Sequence, residues 1–245
     1  MRTLKLVIQY DGTGLVGWQR QAAGTSVQGL LEDALSRIDG GPVAIHGAGR
    51  TDAGVHALAQ VAHARISVAH DAATLLRALN ANLPDAVRVI DAAIAPGDFH
   101  ARFSARSKIY EYRIWNAAIV PPFLRLYVWH VPQRLDVEAM NRAAAALVGE
   151  HDFAAFQGAG AAVHSTVRRI TSARWQAQSA SPLTFEIAGA GYLRHMVRAL
   201  AGTMVEIGRG LRETDDLSRL LGGGHRRAAG RTAPARGLFL TRVEY

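Results

Sequence analysis

Twice along the chain, alternating and helical apolar spacings succeed one another in the order strand, helix, strand, strand, helix, strand, and that order leaves few folds open. In the first half Leu4, Leu6, Ile8 and Tyr10 alternate with Lys5, Val7 and Gln9, the period of a strand. Val27, Leu30, Leu31, Ala34, Leu35 and Ile38 then recur at helical spacing, behind a Thr25 and Gln28 pair that reads as a capping box. Residues 43–48 and 59–66 read as short strands. Asp71 caps a helix carrying Leu75, Leu76 and Leu79 that stops near Pro84, and residues 86–94 form the fourth strand.

After a link at residues 95–98 the order returns. Residues 109–115 read as a strand, and Asp136 caps a helix through Met140, Ala143, Ala144 and Leu147. Strands at 167–177 and 183–188, helices at 193–207 and 214–221, and a last strand at 238–244 complete it. The stretch 117–134, which contains Pro121, Pro122 and Pro132, is expected to be an insertion without regular structure. The duplication is one of pattern and not of sequence. Each half is expected to fold as a split β-α-β unit with helices on one sheet face. Hydrophobic residues make up 49% of the chain, enough for a packed core in one large or two small domains.

Composition narrows the chemistry. The chain has no cysteine, so disulfides and thiolate metal sites are excluded and a reducing compartment is the natural reading. Lys5 and Gln9 interrupt the short apolar start, which is therefore not expected to be a signal peptide. No run of 18 apolar residues predicts a membrane span. The formal net charge is +8, and of 28 basic residues only Lys5 and Lys108 are lysines. Guanidinium groups fork onto phosphate and stack on bases, so a nucleic acid is one expected partner; a GC-rich genome is the plainer source of the same bias. Arg226, Arg227, Arg231 and Arg236 follow Gly222-Gly223-Gly224, while Arg102, Arg106 and Lys108 cluster where the halves meet in sequence. Both sets suit an RNA backbone, although loop charges are often only solvated.

Between the second and third strands runs Gly47-Ala48-Gly49-Arg50-Thr51-Asp52-Ala53-Gly54-Val55-His56. Its glycines permit tight turns and close approach of a ligand, and a loop on a rigid sheet is a common seat for catalytic groups. Arg50, two residues from Asp52, suits holding that carboxylate ionised. Taken as residues alone, the plainer reading is a polar hairpin in which Asp52 bonds its own turn.

The stretch Gly49-Arg50-Thr51-Asp52-Ala53-Gly54-Val55-His56 resembles the signature of the tRNA pseudouridine synthase A family. Ordered likenesses span nearly the whole chain: Tyr10-Asp11-Gly12-Thr13, Gly17-Trp18-Gln19, Ser26-Val27-Gln28, Asn80-Ala81-Asn82-Leu83-Pro84 and Phe99-His100-Ala101-Arg102-Phe103-Ser104-Ala105. Tyr110-Glu111-Tyr112-Arg113-Ile114, Tyr192-Leu193-Arg194-His195-Met196-Val197-Arg198 and Ala233-Pro234-Ala235-Arg236-Gly237-Leu238 continue them. Leu15 departs from the pattern, where an aromatic residue is expected.

The resemblance implies conversion of uridine to pseudouridine in the anticodon stem-loop of tRNA, at positions 38 to 40, by a homodimer needing neither cofactor nor metal. It implies an α+β fold of two ferredoxin-like β-α-β-β-α-β domains, residues 1–104 and 105–245, whose mainly antiparallel sheets join with the active-site cleft between them. Asp52 matches the catalytic aspartate, Tyr110 a substrate-contacting tyrosine and Arg198 a basic group near the aspartate. Arg50 is taken with them as substrate-binding. The cytoplasm is the expected location. By position alone Tyr110 reads as a core or cross-strand residue, and Arg194 and Arg198, four apart on a helix, as a solvated face.

Three other readings compete. Gly12-Thr13-Gly14-Leu15-Val16-Gly17 satisfies GxGxxG with Asp39 downstream, as in dinucleotide-binding oxidoreductases, yet Trp18 to Gly24 separate it from the helix that should receive a pyrophosphate. A metal-dependent hydrolase using His46, His56, His63 and His70 lacks compact ligand spacing. An RNA-binding module without catalysis shares the charge and the fold.

Overall fold

β1 (Arg2–Tyr10) obeys its period: Leu4, Leu6 and Ile8 are fully buried, while Lys5 and Val7 are half-buried and Gln9 is exposed. In this computed structural model residues 1–160, 163–177 and 181–245 are described. Among them the chain is α+β, with ten strands mostly in antiparallel pairs and five α-helices. It divides into one unit of Met1–Arg106 with Leu240–Tyr245 and another of Ser107–Phe239.

In the first unit β1 is followed by α1 (Val27–Asp39), β2 (Ile45–Gly47), β3 (His56–Ile66), α2 (Ala72–Asn82) and β4 (Val87–Ala95). β1 lies between β4 and β3, and β2 pairs with the other edge of β3, all antiparallel. The register sets Leu6 opposite both Ala62 and Ala92, so this leucine meets a small residue on each neighbouring strand. Helix residues Val27, Leu31, Leu35, Leu75 and Leu79 are buried on their apolar faces. The opposite side of the sheet carries a second cluster: Ala48, Val61 and Ala101 are buried, with Val7, Phe99, Val243 and Tyr245 packed against them.

Local chemistry accounts for the helix ends. The cap of α1 is Ser26, whose Oγ accepts from Gly29 N at 3.1 Å, and not the expected Thr25; Gln28 instead accepts from Arg20 N at 3.1 Å. The helix ends at Gly40 in the left-handed region (φ 79°), as a C-cap glycine permits. Asp71 caps α2 as expected, accepting from Thr74 N at 2.7 Å. β2 is shorter than its apolar run, and β3 begins earlier, at His56, because pairing and not hydrophobicity sets strand ends.

The second unit comprises β5 (Ser107–Trp115), β6 (Trp129–His130), α3 (Val137–Ala145), β7 (Gly149–Asp152), β8 (Val167–Gln176), β9 (Leu183–Gly189), α4 (Met196–Gly208) and α5 (Asp216–Leu221). β10 (Leu238–Glu244) follows and passes into the first unit from Leu240 onward. β9 pairs antiparallel with β5 and β8, and β8 with β7. The stretch expected to lack regular structure supplies β6, parallel to β5, with Trp129 buried. Tyr112 and Phe185 face each other across β5 and β9, and Trp175 stacks on Phe185 at 5.0 Å. Asn141 ties α3 to β8, bonding both N and O of Trp175. The helix expected from residue 193 starts at Met196, because His195 stands at φ 62°, outside helical space. Among the described residues no helix is long and apolar enough to cross a membrane.

Candidate active site

The loop after β2 is held in shape by the loop after β1. Trp18 N donates to Thr51 O at 3.1 Å and Gly54 N to Leu15 O at 3.3 Å. A bulge near the end of β1 shifts its register before Tyr10, whose hydroxyl lies 2.8 Å from Thr51 Oγ1. Gln60 Nε2 donates to Gly49 O at 2.9 Å. Gly12 N donates to His56 Nδ1 at 3.0 Å, and the same nitrogen lies 3.1 Å from Asp11 Oδ1. Burial pushes the Tyr10 hydroxyl up to about 12, so it remains a neutral hydrogen-bonding group at physiological pH.

Two glycines make this approach possible. A Cβ on Gly12 would stand 2.2 Å from Val55 O, and one on Gly17 2.6 Å from Thr51 O. Gly17 also sits at φ 101°, where side chains are strained. The first and last glycines of the GxGxxG spacing therefore serve contact with the chain's own loop, not with a pyrophosphate. The first turn of α1 is already capped by Ser26. Within the braced loop Val55 N donates to Asp52 O at 3.2 Å, Asp52 is half-buried and Arg50 is exposed. Rigid support on both sides of a carboxylate is what a reactive group needs to keep its aim.

Of the histidines weighed as metal ligands, His46 and His63 pair across β2 and β3, and His100 joins them, its ring 4.5 Å from that of His63. His63 Nδ1 accepts from Ala101 N at 3.2 Å and is thus unavailable to a metal. No group of three or more His, Asp or Glu side chains among the described residues is placed to hold a metal ion. Burial, then the charges of His100 and His46, lowers the His63 pKa from 6.5 to about 4, with Arg65 adding in the same direction. Between those values the unfolded chain binds a proton that the folded chain refuses, so stability falls as pH drops from 6.5 toward 4. Melting temperature measured over that window should decline, and His63→Gln should flatten the decline. An equally steep decline in the variant would assign the effect to other groups.

In the second unit Tyr110 is buried on β5 opposite Ile187, with the Tyr192 ring edge-on at 5.0 Å. The Tyr192 hydroxyl lies 3.0 Å from both Lys108 O and Ile187 O, fixing that ring in place. Arg198 lies in the first turn of α4, half-buried, and its Nε donates to Ala233 O at 2.9 Å. Arg194 precedes the helix and donates to Ala159 O at 3.0 Å, so the two arginines do not form the solvated helical face expected of them. Arg226 donates to Gly230 O at 2.9 Å and Thr232 Oγ1 at 2.7 Å, closing its own loop. Arg231 lies over the Trp129 ring at 4.8 Å, and Arg236 Nε donates to Val128 O at 3.2 Å. Sequence reading assigned no role to Trp129 or to His195, the one non-glycine residue with positive φ among those described. Only backbone conformation marks His195, and nothing in its neighbours' periodicity announces it.

Asp52 and Arg50 thus stand on the loop of the first unit, while Tyr110 and Arg198 belong to the second. Residues 6–104 and 143–245 match the family model of the tRNA pseudouridine synthases. The whole chain aligns at 49% identity with 92% of tRNA pseudouridine synthase A from Solidesulfovibrio magneticus. It aligns at 44% with 97% of the protein of that name from Syntrophotalea carbinolica, and at 44% with all of the one from Geotalea uraniireducens. The class so defined is that of isomerases acting on RNA. The chain belongs to the tRNA pseudouridine synthase family, and it converts uridine to pseudouridine in tRNA.

Proposed function

We propose that Asp52 carries the chemistry, at uridines 38, 39 and 40 of the anticodon stem-loop. Asp52 is the single carboxylate in the loop from Gly47 to His56, and the close approach of Gly12 and Gly17 holds its backbone; this observation carries the reading. Isomerisation breaks C1′–N1, turns the uracil and joins C1′ to C5; N1 gains a proton and C5 loses one. The Asp52 carboxylate serves either as nucleophile at C1′ or as base at the sugar, and both roles require it ionised. Tyr110 lies beneath the flipped uracil, and its hydroxyl takes part in proton transfer at C5. Arg50 and Arg198 bind the substrate, Arg50 being exposed beside Asp52 and Arg198 basic at the start of α4.

The reaction needs no redox partner, and we infer that no metal or cofactor takes part. The enzyme works as a homodimer in the cytoplasm, where tRNA is its substrate. Each half, residues 1–104 and 105–245, is a ferredoxin-like domain. In the first unit, the element order β-α-β-β-α-β and the neighbour order β4-β1-β3-β2 support this.

Carbodiimide labelling of tRNA exposed to the purified protein should place pseudouridine at positions 38 to 40. Tyr110→Phe should modify the same positions with retained tRNA affinity and turnover roughly 100-fold lower. Label elsewhere would refute the site assignment, and full turnover in Tyr110→Phe would leave that ring a stacking role alone.

A further inference from the structure

Phe103 is 76% exposed, an unusual position for a phenyl ring, yet the turn that presents it is firmly built. His100 Nδ1 accepts from Arg102 N at 3.1 Å and from Phe103 N at 3.3 Å. Ser104 N donates to His100 O at 2.9 Å, and His100 N donates back to Ser104 Oγ at 3.1 Å. Ala101, fully buried between them, donates N–H to His63 Nδ1 and accepts from Tyr245 Oη at 2.7 Å. A backbone turn given this much fixed support has little conformational freedom left to lose when a ligand stacks on the ring it presents.

The surroundings indicate the ligand. The His100 ring lies 4.3 Å from the Phe103 ring at 34°, and the Arg102 guanidinium is 5.6 Å from it. Behind His100 come the rings of His63 and His46, so a run of aromatic contacts leads from the sheet to solvent. His46 lies on β2, whose last residue, Gly47, begins the Asp52 loop, and Ala101 packs with Ala48 of that loop. An exposed π face on a fixed turn, flanked by a guanidinium, on a chain of net charge +8, has the chemistry of a nucleobase platform.

We propose that Phe103 is a stacking platform for an unpaired base of the substrate tRNA, apart from the uridine that reacts. The proposal rests on tRNA being the substrate and not on the role of Asp52, so failure of the Phe103 test leaves the Asp52 assignment standing, and the reverse. Filter-binding affinity for tRNA should weaken roughly 10- to 100-fold in Phe103→Ala, the scale of one lost base–aromatic stack. Phe103→Trp should bind within about twofold of the parent, whereas Phe103→Leu, apolar but without a π face, should resemble Phe103→Ala. The slope of log K against log[salt] should not change, since no phosphate contact is removed. Turnover at saturating tRNA should also be unaltered. Parent-like affinity in Phe103→Leu, a changed salt slope, or a loss confined to turnover would each overturn it. Should Phe103→Ala fail to fold, the comparison of Leu with Trp decides alone.

Discussion

Asp52→Asn should abolish pseudouridine formation, by at least about a thousandfold, while fold and tRNA affinity stay near those of the parent. The amide matches the carboxylate in size, and backbone contacts that do not depend on the charge at 52 help to shape this loop. Trp18 N bonds Thr51 O, Gly54 N bonds Leu15 O, and Val55 N bonds the backbone oxygen of residue 52. None of these requires a charged side chain at 52. What disappears is the capacity to attack C1′ or to accept a proton at the sugar, for which an amide is useless. Turnover by carbodiimide labelling and binding by filter retention should be read on one preparation. Retained pseudouridine formation would sink the assignment of Asp52, and parallel loss of binding and turnover would show that the residue shapes the substrate surface instead.

Gly17→Ala should lower activity on the order of 100-fold without touching a reactive group. The new methyl would stand 2.6 Å from Thr51 O and 2.9 Å from Asp52 C, both backbone atoms that cannot rotate away. Its φ of 101° adds strain of roughly 1–3 kcal/mol. The loop must move to accept it, and displacement of a reactive group by about 1 Å costs on the order of 100-fold in rate. Gly14→Ala is the control: it shares the positive φ, at 76°, but its methyl would meet nothing within 4 Å. It should lose about 1 kcal/mol of stability and keep its turnover. Equal activity losses in the two variants would mean that backbone strain, and not the clash with the Asp52 loop, is responsible.

Much of the architecture was legible because it is local. The alternation of Leu4, Leu6 and Ile8, the side-chain caps Asp71 and Asp136, and the stop before Pro84 depend on residues within a turn or two of one another. Boundaries slipped where a distant partner decided them. β3 extends back to His56 through its pairing, β6 exists because β5 lies alongside it, and α4 starts late because His195 takes a left-handed conformation. Charge was legible as a total but not as a distribution of tasks. Arg226 looks in sequence like its neighbour Arg227, yet its guanidinium is committed to Gly230 and Thr232.

The sequence by itself determined the α+β succession, the basic character and the family, since ordered motifs and periodicity survive without coordinates. Tertiary structure alone decided what Gly12 and Gly17 are for. Their spacing fits a dinucleotide fingerprint, and only the approach of Val55 O and Thr51 O shows that they brace the Asp52 loop. It likewise decided that Phe103, one apolar letter among many, stands in solvent on a turn fixed by His100. The physical reason is common to both. A close approach between residues some 40 positions apart leaves no period in the chain, and an exposed ring is identified by the surroundings it lacks.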